Sequence, residues 1–288
     1  MNETAADQKT SAFDSLVVTR LLERLLGGSR QLLNQARFEA TSDFLTRYGH
    51  WALLVAGALG LVVSLILSVK QSAFFVFVEG MGWLLLLLVL QYTAARFLKA
   101  GDALLQSTPS QLSTPAFLNC YALVNLLTGC IALVSFAIMA IKLESMRLFL
   151  EGMGVFLICE YLAWIALNPA LLNIESTPRA SAGEEAVGIL SFFLKGFLKL
   201  LPIAFGAGLI IGTVGLLIDA IGLPKAGVYY SLLDAAPSLR TVTVAAALPF
   251  AGYVLFLLAY LGLDVIRAIV AVPGKLDDIA AGKRQPPV

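Results

Sequence analysis

Histidine is almost missing from this chain: His50 stands alone. That scarcity argues against haem and zinc centres, which usually draw on imidazole, and no cofactor or metal site is expected. Cysteine is nearly as rare. Cys120, Cys130 and Cys159 all fall in apolar stretches with no CxxC spacing, so they read as reduced packing thiols rather than a disulfide framework. Charge is thin at 14%, with a net of +1, which leaves no basic field for nucleic acid. Enzyme signatures are also missing. There is no phosphate loop, no Gly-x-Ser-x-Gly elbow and no His-Glu-x-x-His, and a single His cannot readily serve a nucleophile–base pair. We therefore expect a protein that is not an enzyme.

What is present is oil. Hydrophobic residues make up 59% of the sequence, and mean hydropathy is +0.85. Soluble domains run nearer 45–50% apolar and about 25% charged. Six stretches are long enough for a spanning helix, which needs about 20 apolar residues: 51–69, 73–97, 117–141, 146–168, 197–219 and 243–265. Period-2 alternation is absent, so helices rather than barrel strands must satisfy the backbone. The expected fold is an all-α integral membrane protein with six transmembrane helices arranged as three hairpins. Lys and Arg are concentrated on the side that would carry both termini, which predicts cytoplasmic termini. The first fifty residues hold no signal-peptide core, and the acids Glu3, Asp7, Asp14 and Glu23 argue against a transit peptide. A bacterial cytoplasmic (inner) membrane is the expected location.

Residues 1–48 read as a cytoplasmic arm. Val17, Val18, Leu21, Leu22, Leu25 and Leu26 recur at helical spacing around Arg20, Glu23 and Arg24, as in an amphipathic helix on a membrane surface. Gly27 and Gly28 are expected to break it, with a second helix through Leu32, Leu33 and Ala36. Residues 49–273 form the expected transmembrane domain, and 274–288 a polar cytoplasmic tail. Thr114 and Pro115 suit an N-cap and first turn for the third span. "NP" at 168–169 ends the fourth. The loop 220–241 carries Tyr229 and Tyr230, suited to lipid headgroups.

"FVEGMG" at 77–82 returns as "FLEGMG" at 149–154. Sliding the chain by 72 residues brings Gly57 onto Gly129, Lys70 onto Lys142, and Glu79-Gly80-Met81-Gly82 onto Glu151-Gly152-Met153-Gly154. Leucine matches carry little weight between oily helices; a lysine and a complete EGMG in register carry more. This predicts a parallel internal repeat, one copy at about 49–97 and the other at about 117–168, with 197–273 as a diverged third hairpin.

Each repeated carboxylate lies nine residues past its lysine, about 10–12 Å along the helix, where an unpaired charge costs several kcal/mol. The glycines offer a close helix crossing. Glu79, Gly80, Gly82, Glu151, Gly152 and Gly154 are thus candidates either for a helix-packing knot around a protonated acid or for a proton- or cation-binding pair. Glu160, deeper in the fourth span, is a further candidate, with Asn125 or Gln91 as expected partners. Asp264 and Arg267 are spaced to pair with each other. Asp219 reads as interfacial, and Gly208 and Gly212 form a GxxxG spacing for tight crossings within the chain or between chains. The expected role is a non-enzymatic subunit or scaffold of a larger membrane assembly, in contact with the lipid bilayer and with other membrane subunits or copies of itself. The alternative is a small channel or a proton/cation-linked transporter using Glu79 and Glu151.

Overall fold

A computed structural model of the chain describes residues 17–112, 115–144, 146–176, 182–222 and 232–280. The order is α1 (Val17–Leu32), α2 (Gln35–Gln71), α3 (Phe74–Ser107), β1 (Ser110–Leu112), α4 (Pro115–Lys142), α5 (Met146–Leu167), a 3-10 turn (Pro169–Leu172), β2 (Ile174–Ser176), α6 (Ala182–Gly222), α7 (Leu232–Ala235) and α8 (Ser238–Ala280). The two strands pair in the only sheet among the described residues. Among the described residues five helices are long and apolar enough to cross a membrane; the stretch Gly152–Leu167 of α5 is apolar but shorter. The chain is thus a helical, multi-pass type of integral membrane protein. Thr114, Tyr229, Tyr230 and the end of the tail lie outside the described residues.

Several helices outrun the apolar segments that nominate them. The helix α6 has 41 residues, about 60 Å at 1.5 Å each, against a hydrocarbon layer of about 30 Å. Its early start at Ala182 turns part of an expected loop into helix. Glu184 and Glu185 in the first turn favour that start, because carboxylates complement the positive end of a helix. Pro202 lies inside α6 and Pro249 inside α8, and both helices continue through them.

Gly27 and Gly28 do not break the arm. Helix α1 runs through both to Leu32, and among the described residues each has nothing within contact distance of where a side chain would stand. The break falls at Leu33–Asn34 because the groups freed there find partners. Asn34 caps α2, its Oδ1 accepting the Arg37 N–H at 2.9 Å. The Asn34 carbonyl accepts from Trp164 Nε1 at 3.1 Å, and the Leu33 carbonyl from Asn168 Nδ2 at 2.7 Å.

The chain divides into two compact units. One comprises residues 1–38 and 111–181. In it α4 and α5 form a hairpin. Phe38, at the start of α2, is fully buried, and its ring packs edge-on against Trp164 at 5.3 Å and beside Tyr161 at 5.6 Å. Arg30 on α1 donates to Asn119 Oδ1 on α4 at 2.8 Å.

The other unit comprises 39–110 and 182–288. Its main core joins Leu53, Val63 and Leu67 of α2, Val76 and Leu87 of α3, Phe205, Leu209 and Leu216 of α6, Leu232 of α7, and Leu239 and Val242 of α8. A second cluster holds Leu105, Leu198, Leu201, Phe256 and Leu263. Small residues set the spacing: a methyl added to Gly49 would lie 2.7 Å from Gly206 Cα, so α2 and α6 cross nearly backbone to backbone. Gly208 and Gly212 face Ala245 and Val242, and the GxxxG spacing therefore serves the α6–α8 crossing inside the chain. Large apolar side chains such as Leu65, Phe74, Leu85, Ile211 and Leu258 point outward. This surface suits lipid rather than water.

Candidate functional site

Helix α3 begins after a tight turn in which Ser72 takes a left-handed backbone conformation (φ 52°). The Ala73 N–H closes the turn on the Ser68 carbonyl at 3.0 Å. Five residues into α3, half-buried Glu79 directs Oε2 at the N–H of Leu232, the first residue of α7, at 3.2 Å. Leu232 is completely buried. Its N–H belongs to the first turn of a helix, where no intrahelical acceptor exists. Leaving such a donor unmet costs about 1–3 kcal/mol, so the carboxylate fixes α7 against α3. Asp219 acts in the same way nearby, Oδ2 accepting the Ser238 N–H at the start of α8 at 3.0 Å. The two acids thus meet the N–H groups at the starts of α7 and α8.

The glycines beside Glu79 differ from one another. A methyl on Gly80 would collide with Ser64 of α2, while Gly82 has nothing within contact distance among the described residues. Gly80 alone makes the crossing, which narrows the expectation that both glycines admit a neighbour. The second hairpin shows the same division. A methyl on Gly152 would collide with Phe136 of α4, and Gly154 has nothing within contact distance among the described residues. The Glu151 side chain lies outside the described residues. Glu160, half-buried on α5, sits between buried Cys159 and Tyr161. The expected partners are turned elsewhere: Asn125 Nδ2 donates to the Tyr121 carbonyl at 2.8 Å, and Gln91 Nε2 to the His50 carbonyl at 3.4 Å. Glu79 and Gly80 belong to one unit, and Glu151, Gly152, Gly154 and Glu160 to the other.

A polar cluster that the sequence did not announce lies among α3, α6, α8 and the start of β1. Lys195 is fully buried and gives its ammonium to the Thr108 carbonyl. One turn earlier on α6, buried Ser191 shares a 2.6 Å hydrogen bond with buried Ser110. Arg267 of α8 closes the group. Its Nη2 donates to both hydroxyls, at 3.3 and 3.4 Å, and its Nη1 to the Tyr260 hydroxyl at 2.9 Å and Asp264 Oδ1 at 3.2 Å. The expected Asp264–Arg267 pair is therefore formed. Near it, Lys199 meets Asp102 at 3.2 Å. The available signal was spacing: Ser191, Lys195 and Leu198 share the face of α6 that Leu201 and Phe205 continue into the core.

Among the described residues no three His, Cys, Asp or Glu side chains gather where a metal ion could be held. Compared with family models, curated proteins and solved structures, the chain matches none.

Proposed function

We propose that the chain is a non-enzymatic integral membrane subunit or scaffold, working in a larger assembly of other membrane subunits or of its own copies. The observation that carries this reading is the bond between Glu79 and the Leu232 N–H. The most suspicious acid in the sequence has a structural task, closing a helix terminus. The broad outward apolar surface on five long helices supports a lipid- or subunit-facing role.

In this reading α5 also crosses the membrane, as the fourth of six spans, both termini face the cytoplasm, and the membrane is a bacterial inner membrane, with Lys and Arg placement as the support for orientation. The first two hairpins are copies of one unit. In favour of the copying, equivalent positions 72 residues apart have equivalent neighbours. Gly80 meets Ser64 and Gly152 meets Phe136; Gly57 meets Leu84 and Gly129 meets Phe156. Left-handed Ser72 and Glu144 (φ 52° and 48°) occupy matching turn positions.

The test is the mass of the protein extracted in mild detergent. The scaffold reading expects a particle larger than the 30.7 kDa monomer once bound detergent is subtracted. A lone monomer at native abundance contradicts it.

A further inference from the structure

The second hairpin leaves open a face that the first hairpin covers. On α2, the line Ala52, Ala56, Gly60, Val63 and Leu67 lies under α6 and α8. Ala56, Val63 and Leu67 are buried in a core with Leu209 and Leu216 of α6 and Leu239 and Val242 of α8. Thr213 of α6 donates to the Ala52 carbonyl at 3.0 Å, and a methyl on Gly60 would meet Leu239 at 3.9 Å.

The positions 72 residues on are Val124, Thr128, Ala132, Ser135 and Met139 of α4. Their spacing keeps them in one stripe along the helix. Here the stripe faces outward. Val124 and Met139 are 61% and 48% exposed, Thr128 and Ser135 are exposed, and Ala132 is half-buried. Over their apolar stretches, 39% of α2 is buried but only 11% of α4. Among the described residues, the unit that holds α4 contains α5 and α1 but no counterpart of α6 and α8.

We propose that this stripe of α4 is the contact surface for a second copy of the chain, α4 against α4 across a two-fold axis. The inference deepens the subunit reading above and rests on it. Charge and hydrogen bonding select a copy of the same chain as the occupant. No charged residue lies between 116 and 141, so the face meets itself without bringing like charges together. A hydroxyl both donates and accepts, so Thr128 and Ser135 can each pair with their own equivalents. Lipid tails offer those hydroxyls no partner. Copies in one membrane share an orientation, and a two-fold axis then brings each residue of α4 to itself. The two hydroxyls are seven residues apart, the repeat at which paired helices meet again. Ala132 between them is small enough for the backbones to approach.

The experiment is oxidative cross-linking of full-length Ser135→Cys in its native membrane, read by the mass of the product. Wild type supplies the control. Its Cys130 is exposed on α4, two residues past Thr128 and so about 160° around the helix from it. Ser135→Cys is expected to form a species of twice the 30.7 kDa chain. It should do so roughly tenfold or more faster than wild type, because thiols held together react at a raised effective concentration. Thr128→Cys, on the same stripe, is expected to behave alike and keeps the test open should the first variant fail to accumulate. A particle larger than the monomer in which neither variant cross-links faster than wild type would overturn this face and leave the subunit reading standing. A product whose mass shows a different protein would overturn the second copy as the occupant. A lone monomer without cross-links would overturn both the face and the subunit reading.

Discussion

Gly80 and Gly82 are two residues apart in one helix and have opposite tolerances. The first faces Ser64 across a helix crossing, the second faces open space. Gly80→Ala should destabilise the protein by about 1–3 kcal/mol, the usual cost of forcing atoms into a packed contact. Gly82→Ala should be neutral or slightly stabilising, because alanine suits a helix interior better than glycine. Gly152→Ala and Gly154→Ala should repeat the contrast. Thermal unfolding of the four variants in detergent checks this, and equal effects within each pair would remove the distinction. At this scale the sequence singled out EGMG, but not which glycine is packed against a neighbouring helix. The difference depends on which face of α3 meets α2, and a repeated motif does not carry that information.

Among the elements, the junction between α1 and α2 shows how local chemistry overrides propensity. Two adjacent glycines look like a helix stop, yet the stop lies six residues later, where Asn34 can cap and where Trp164 of α5 and Asn168 just after it donate to the freed carbonyls. Asn34→Ala should cost about 1 kcal/mol and raise proteolysis at residues 32–35 without moving the other helices. Limited digestion followed by mass spectrometry reads both. Asn34 before a helical run could have signalled the cap, but the expectation of a second helix through Leu32, Leu33 and Ala36 passed over it; the carbonyl acceptors carried no signal, because their donors lie more than a hundred residues away. Helix lengths divide in the same way. Apolar runs marked where each helix meets lipid, and the polar extensions of α3, α6 and α8 escaped because hydropathy does not register a helix continuing beyond the oil. Lys195 escaped for a related reason: a lysine at the end of an apolar run reads as a topological marker, although its side chain is fully enclosed.

For the molecule as a whole, the long apolar helices and tight hairpin turns were readable from composition and periodicity. The division into two units was not, since it depends on α6 and α8 returning to pack with α2 and α3. The expected link between the carboxylates and burial acquires a concrete form in Glu79, which is bound to a residue 153 positions away. A scaffold requires that bond to hold the start of α7 against α3; a conducting acid requires Glu79 to exchange protons or cations with water. Amide hydrogen exchange at Leu232, measured in wild type, Glu79→Gln and Glu79→Leu, separates these most directly. We predict slow exchange in wild type, a modest change with glutamine, which keeps a carbonyl acceptor, and roughly tenfold or faster exchange with leucine, matching the loss of a charge-assisted hydrogen bond. Unchanged exchange at Leu232 in the leucine variant, together with a proton flux in proteoliposomes that the glutamine variant abolishes, would contradict the account.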